Sequence, residues 1–73
     1  MPLDRIECPI PGKIVSVNIG QGSAVSEGDE LFLLESMKME NPIISPVSGT
    51  VTEVNVTKGQ VVESGFLLAI IDF

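Results

Sequence analysis

Residues 9–36, PIPGKIVSVNIGQGSAVSEGDELFLLES, and residues 46–73, PVSGTVTEVNVTKGQVVESGFLLAIIDF, are two copies of one pattern. Sliding the chain against itself by 37 positions aligns them without a gap. Eight of the 28 pairs are identical: Pro9/Pro46, Gly12/Gly49, Val17/Val54, Asn18/Asn55, Gly22/Gly59, Val25/Val62, Gly28/Gly65 and Leu31/Leu68. Glu35/Asp72, Ile14/Val51 and Ile19/Val56 are chemically alike. Each copy reads as a β-rich run (13–19, 50–56), a glycine turn, a short apolar pair (24–25, 61–62), a second glycine turn, and a further apolar run (31–34, 67–71). Short apolar runs punctuated by glycine describe short strands and tight turns, and no stretch keeps a helical period. The fold class is therefore all-β, a sandwich or barrel.

Neither half alone holds enough apolar surface for a core, so the expected arrangement is pseudo-two-fold, each half supplying strands to both sheets. Alternation puts Val17, Ile19, Val54 and Val56 on one face and Ser16, Asn18, Glu53 and Asn55 on the other; with Leu31, Leu33, Leu68 and Ile70, those apolar residues are the expected core. Glycines shared by the copies are expected at turns of positive φ, where another residue costs about 1–2 kcal/mol.

Composition narrows the chemistry. Seventy-three residues suffice for one domain, taken as 1–73, in a size range where folding buries about 60% of the unfolded surface. Cys8 is the only cysteine, so no internal disulfide can form, and it reads as a small buried hydrophobe. Ten acids against Arg5, Lys13, Lys38 and Lys58 give a net charge of −6 with no basic run, which argues against nucleic acid or an anionic membrane as partner. The chain has no His, Tyr or Trp, so the usual proton-transfer side chains are missing and a carrier, binding or interaction module is the better class. The longest apolar run, 66–71, falls far short of the roughly 20 residues of a spanning helix, and the N-terminus lacks a signal pattern. A soluble, intracellular protein without membrane insertion is expected, in the cytoplasm or, in a eukaryote, the mitochondrial matrix.

The repeat leaves one segment unexplained, Glu35-Ser36-Met37-Lys38-Met39-Glu40-Asn41-Pro42, which joins two β segments and puts Met37-Lys38 at or near a hairpin tip. Such turns favour Asn, Asp and Gly. Large apolar side chains on both sides of one amine suit recognition better than folding, although methionine also fills gaps in cores.

Glu-Ser-Met-Lys-Met closely resembles the Glu-Ala-Met-Lys-Met signature of biotinyl domains in biotin-dependent carboxylases and decarboxylases. The likeness extends from about Glu7 to Asp72, through Pro9-Ile10-Pro11-Gly12, Gly49-Thr50-Val51 and a lysine 35 residues from the end. Ser36 replaces the more frequent Ala. The resemblance implies a flattened barrel or sandwich of two four-stranded antiparallel sheets related by a pseudo-dyad. It implies biotin joined covalently to Lys38 by a biotin protein ligase, with Met37 and Met39 aiding recognition or carboxylation and Glu35 and Ser36 forming the approach to the hairpin. It also implies a biotin carboxylase (or a decarboxylation) that loads the carrier and a carboxyltransferase that unloads it, to or from an acyl-CoA or 2-oxo acid. With no insertion between Ile19 and Leu31, the chain resembles the type without a protruding thumb. A lipoyl carrier, similar in fold but with Asp-Lys-Ala at the tip, and an unmodified interaction module are the alternatives.

Overall fold

A computed structural model describes residues 2–73; Met1, the first residue of the expected domain, lies outside the described residues. Eight strands follow one another: β1 Leu3–Glu7, β2 Gly12–Val17, β3 Ala24–Val25, β4 Glu30–Ser36, β5 Met39–Ile44, β6 Gly49–Val54, β7 Val61–Val62 and β8 Leu67–Asp72. They form two four-stranded sheets, ordered β1-β8-β6-β3 and β5-β4-β2-β7, with every pairing antiparallel. The fold class expected from the sequence is the one observed.

The 37-residue offset carries β2 onto β6, β3 onto β7 and β4 onto β8, and carries β1 onto residues 40–44 of β5. One sheet order therefore maps onto the other, strand for strand. Hydrogen bonds repeat in the same way. Gly22 N donates to Val51 O at 2.7 Å, and Gly59 N to Ile14 O at 2.7 Å; Asn18 N donates to Leu31 O at 3.0 Å, and Asn55 N to Leu68 O at 2.9 Å. Gly22 and Gly59 hold φ of 91° and 92°, as expected of the shared turn glycines. Gly12 and Gly49 do not have positive φ: a Cβ on either would run into a backbone carbonyl, that of Glu35 and of Asp72 respectively. These two glycines permit close approach of chains, a role the sequence reading assigned to turns.

The core comprises Ile6, Cys8, Ile14, Val25, Leu31, Phe32, Leu34, Ile43, Val51, Val56, Val62, Leu68, Ala69 and Ile71. Val56, Leu31 and Leu68 are buried as expected, whereas Val17, Ile19 and Val54 are half-buried against the core's edge. Leu33 and Ile70 are also only half-buried, a departure with a specific cause. Leu31 in β4 and Leu68 in β8 are extra residues with no partner in the edge strands β5 and β1 respectively. Such a bulge shifts the phase of alternation by one, so that Leu31 and Phe32 both point inward and Leu34 follows, leaving Leu33 outside. Leu68, Ala69 and Ile71 repeat the arrangement around Ile70. A second pair of bulges, at Val15 and Thr52, brings Ile14 and Val51 inward. Cys8 and Ser45 are repeat mates and are equally buried, the Cys8 thiol donating to Ile10 O at 2.9 Å and the Ser45 hydroxyl to Val47 O at 2.6 Å.

Strands β1 and β5 are sheet edges. Asp4, Arg5 and Glu7 charge one, and Pro42, which has no N–H to offer, interrupts the other, two ways of discouraging pairing with another chain. The molecule is elongated, 36 × 18 × 17 Å. Strand β1 leads away from the chain ends, where Phe73 N donates to Pro2 O, toward Gly12, which abuts Glu35 at the base of the β4–β5 hairpin. Strand β5 leads away from that hairpin toward Gly49, which abuts Asp72 and Phe73. The hairpin tip and the paired chain ends thus lie at opposite ends of the molecule.

Candidate functional site

Strands β4 and β5 stay paired to the last rung, Glu35 opposite Glu40 and Ser36 opposite Met39, which leaves a loop of two residues, Met37 and Lys38. The strands therefore run further toward the tip than the apolar runs of the sequence indicated. Met37 has φ 55° and Lys38 φ 65°, the only non-glycine residues of positive φ among those described. Positive φ at both loop positions is the mark of a type I′ turn, whose twist suits a hairpin and which is normally built from Asn-Gly. Two bulky residues here cost about 1–2 kcal/mol each. Backbone strain of this kind persists where the side chains serve another end.

The strain exposes those side chains. Met37 is 91% and Met39 66% exposed, and Lys38 stands in solvent between them. Asn41 Nδ2 donates to Met39 O at 3.3 Å and steadies the strand leaving the turn. The one ion pair among the described residues joins Arg5 to Glu7 at 3.6 Å, so no carboxylate holds the Lys38 amine. Two exposed methionines contribute nothing to the core; they offer a polarizable apolar rim around an exposed amine that makes no ion pair.

The structure brings four of the five residues singled out from the sequence to the tip: Met37, Lys38 and Met39, with half-buried Ser36 one rung below. Glu35 sits further down on the outer face of its sheet, between Glu40 of β5 and Lys13 of β2. Lys13 lies beside an acid in a like-charged pair, which offsets the repulsion of Glu35 and Glu40. Sequence reasoning missed Lys13 as a neighbour of the site; the signal was the pairing of β2 with β4, which no short motif encodes. It also missed Gly12, whose bare backbone lets β2 begin against the Glu35 carbonyl and so fixes the base of the hairpin. Among the described residues, no three His, Cys, Asp or Glu side chains are grouped to hold a metal ion. Burial raises the pKa of the Cys8 thiol more than its bond to the Ile10 carbonyl lowers it, so the sulfur belongs to the core rather than to a reactive site.

Two four-stranded sheets closed into a sandwich, with a lysine exposed on a strained two-residue turn at the end opposite the chain ends, are the architecture of a carrier domain. The chain belongs to the family described as biotin-requiring enzyme, whose model matches residues 4–71. It is 52% identical over 69 residues to a biotinylated protein, the TB7.3 homolog of Mycolicibacterium smegmatis, an alignment covering 94% of this chain and 97% of the relative. It is 46% identical over 43 residues to the gamma subunit of methylmalonyl-CoA decarboxylase from Veillonella parvula, 59% of this chain and 33% of that subunit. Among solved structures, a single-chain, multi-domain long-chain acyl-CoA carboxylase superposes with a TM-score of 0.88 at 32% identity, covering 93% of this chain and 7% of the other. The chain thus spans about a third of the decarboxylase subunit and nearly all of the mycobacterial relative. The family and its biotinylated relative imply covalently attached biotin as the cofactor, and the tip suits it: an exposed primary amine with an apolar rim.

Proposed function

We propose that residues 1–73 form one biotin carboxyl carrier domain, in which a biotin protein ligase acylates Lys38 Nζ and the arm then visits a biotin carboxylase or decarboxylase and a carboxyltransferase. The observation that carries this reading is the Met37-Lys38 turn, strained by two positive φ values in residues that gain nothing in folding from being there. Attached biotin supplies the chemistry, accepting and releasing a carboxyl group. The chain supplies placement. The two-residue turn holds the base of the arm in a fixed direction, while Met37 and Met39 give partner enzymes an apolar contact on each side of it. Acylation turns the cationic amine into a neutral amide, lowering the charge of the tip and leaving Lys13, Lys58 and Arg5 as the cations. Tethering raises the concentration of the group at both active sites to the millimolar range without tight docking, so contacts stay brief. We place this exchange in the cytoplasm or the mitochondrial matrix, where ATP and bicarbonate are supplied; among the described residues, no helix is long and apolar enough to cross a membrane.

The test is coexpression with a biotin protein ligase, followed by intact mass, avidin capture and a parallel anti-lipoyl blot. One biotin should be found on Lys38 and none on Lys13 or Lys58, and Lys38→Arg should abolish capture without shifting the melting temperature. Full labelling of Lys38→Arg would refute the assignment. An anti-lipoyl signal, or a bare mass in the presence of active ligase, would favour the lipoyl carrier or the unmodified module in its place.

A further inference from the structure

The internal repeat supplies a control for the positions around the base of the hairpin, since each of these has a mate built by the same fold at the other end. Across the outer face of one sheet runs the row Glu40, Glu35, Lys13, Val61, paired strand to strand. Its mates, 37 positions away, form the row Leu3, Asp72, Thr50, Ala24 on the other sheet. Thr50 occupies the place of Lys13. The turn leading into β7 carries Lys58, and its mate in the turn leading into β3 is Gln21. Lys13 and Lys58, with Ile14, Val15, Glu35 and Gly59, line an open depression of about 290 Å³ beside the base of the hairpin. The fold therefore tolerates uncharged residues at both positions, and the chain nonetheless carries lysine at both, at the end that bears Lys38.

Charge elsewhere makes this asymmetry matter. The chain has four cations and a net charge of −6. Arg5 is engaged with Glu7, while neither Lys13 nor Lys58 makes an ion pair among the described residues. Once Lys38 becomes an amide, these two exposed lysines are the remaining unpaired cations described, and both are at the hairpin end. Asp4 and Asp72 mark the opposite end. The acids on the same face as the depression are Glu35 and Glu40 near it and Glu30 at the far end of β4, with Glu63 beyond β7.

We infer that the Lys13–Lys58 depression is a docking contact for a carboxylate-bearing protein surface around the mouth of the active site that the Lys38 arm enters. Both lysines are exposed and none of the residues lining the depression is a buried polar one, so the depression cannot enclose a small anion; it suits a broad, weakly held, acidic protein rim. An acidic carrier would be repelled by such a rim unless it arrived tip first, and the two lysines impose that orientation, raising the rate of productive encounter without a long residence time. This inference rests on the carrier reading of the preceding section.

The test replaces each lysine with the residue of its repeat mate, Lys13→Thr with Lys58→Gln, in the biotinylated full chain. The control, Arg5→Glu, makes the same two-unit change in net charge on β1 of the other sheet. Association with a purified biotin carboxylase and with an acyl-CoA carboxyltransferase is measured by biolayer interferometry at about 10 mM and about 0.15 M salt, between which the Debye length falls from ~30 to ~8 Å. Carboxyl transfer is measured in parallel. With at least one of the enzymes, the double variant should associate about tenfold more slowly at low salt. The deficit should shrink at the higher salt, the dissociation rate should change little, and the control should lose less. Equal rates for variant and parent, a deficit indifferent to salt, or an equal loss in the control would each overturn the proposal. Salt-sensitive association without carboxyl transfer would leave the docking contact standing and refute the carrier reading. Transfer with lysine-independent association would do the reverse, and absence of association with either enzyme would sink both.

Discussion

Met37 and Lys38 occupy backbone positions that Asn and Gly would hold without strain. Met37→Gly should therefore raise stability by about 1 kcal/mol, the part of the left-handed penalty it removes in excess of glycine's own entropy cost. In a domain of this size that corresponds to an increase of about 4–8 °C in melting temperature. The same substitution should slow biotinylation, because it removes the apolar rim, and Met39→Thr should slow it with little change in the melt. Calorimetry and ligase kinetics on the two variants check both statements; a loss of stability in Met37→Gly would mean that the side chain is packed in a way its exposure denies. Cys8 provides a second residue-scale test. Burial raises its folded pKa above the unfolded value, so its contribution to stability is complete below the unfolded pKa, ~8.5, and is lost as pH rises through the folded value. Melts should thus weaken in alkali, and Cys8→Ser should remove that component. The substitution should cost little at neutral pH, since the mate Ser45 already fits a hydroxyl into the equivalent buried site.

Among elements, the β4–β5 hairpin and its counterparts at the other end separate stability from function. Gly12 and Gly49 make the same close approach, to the carbonyls of Glu35 and Asp72, but only Gly12 lies beneath the tip. Alanine at either should destabilise the fold by about 1–3 kcal/mol, as overpacking against backbone does. Only Gly12→Ala should also slow modification of Lys38, by tilting the hairpin base, and ligase assays below the melting range distinguish the two. Equal effects on modification would show that general loosening, not local geometry, governs access to the lysine. Much of this level was legible in advance: the short strands β3 and β7 coincide with the apolar pairs at 24–25 and 61–62, and the tip falls on Met37-Lys38. Strand β1 was not, because Leu3–Glu7 is charged and pairs through its backbone; extending the repeat upstream matches Ile6 to Ile43, a single identity. Alternation puts Leu33 and Ile70 in the core because it assumes an unbroken ladder, and the bulges at Leu31 and Leu68 break it. A bulge is a matter of pairing between strands, so no periodicity within one strand reveals it. Lys13 escaped the site for the same reason: it reaches Glu35 across the ladder, not along the chain.

At the scale of the whole molecule, the pseudo-dyad makes each half depend on the other. Cutting before Pro46 leaves β1 to β5 in one fragment and β6 to β8 in the other, yet the sheet β1-β8-β6-β3 draws two strands from each and the sheet β5-β4-β2-β7 takes β7 from the second. The bonds that close the repeat also cross the cut: Gly22 N to Val51 O, Gly59 N to Ile14 O, Gly65 N to Cys8 O. The fragment 1–45 contains the entire hairpin, with Ser36 still able to face Met39, but its sheet would lose β7 and its core would lose Val51, Val56, Val62, Leu68, Ala69 and Ile71. What remains of that sheet is the three strands β5-β4-β2 with an inner apolar face left uncovered, and two strands of the other sheet with nothing between them cannot restore a core. Neither fragment should fold alone, and fragment 1–45 should be a poor ligase substrate although it holds Met37, Lys38 and Met39. Mixed in equal amounts, the two should recover sheet structure by circular dichroism and, in the same concentration range, biotinylation. Efficient labelling of fragment 1–45 alone would show that the ligase reads the short motif in an unfolded chain, and the strained turn would then have no part in recognition.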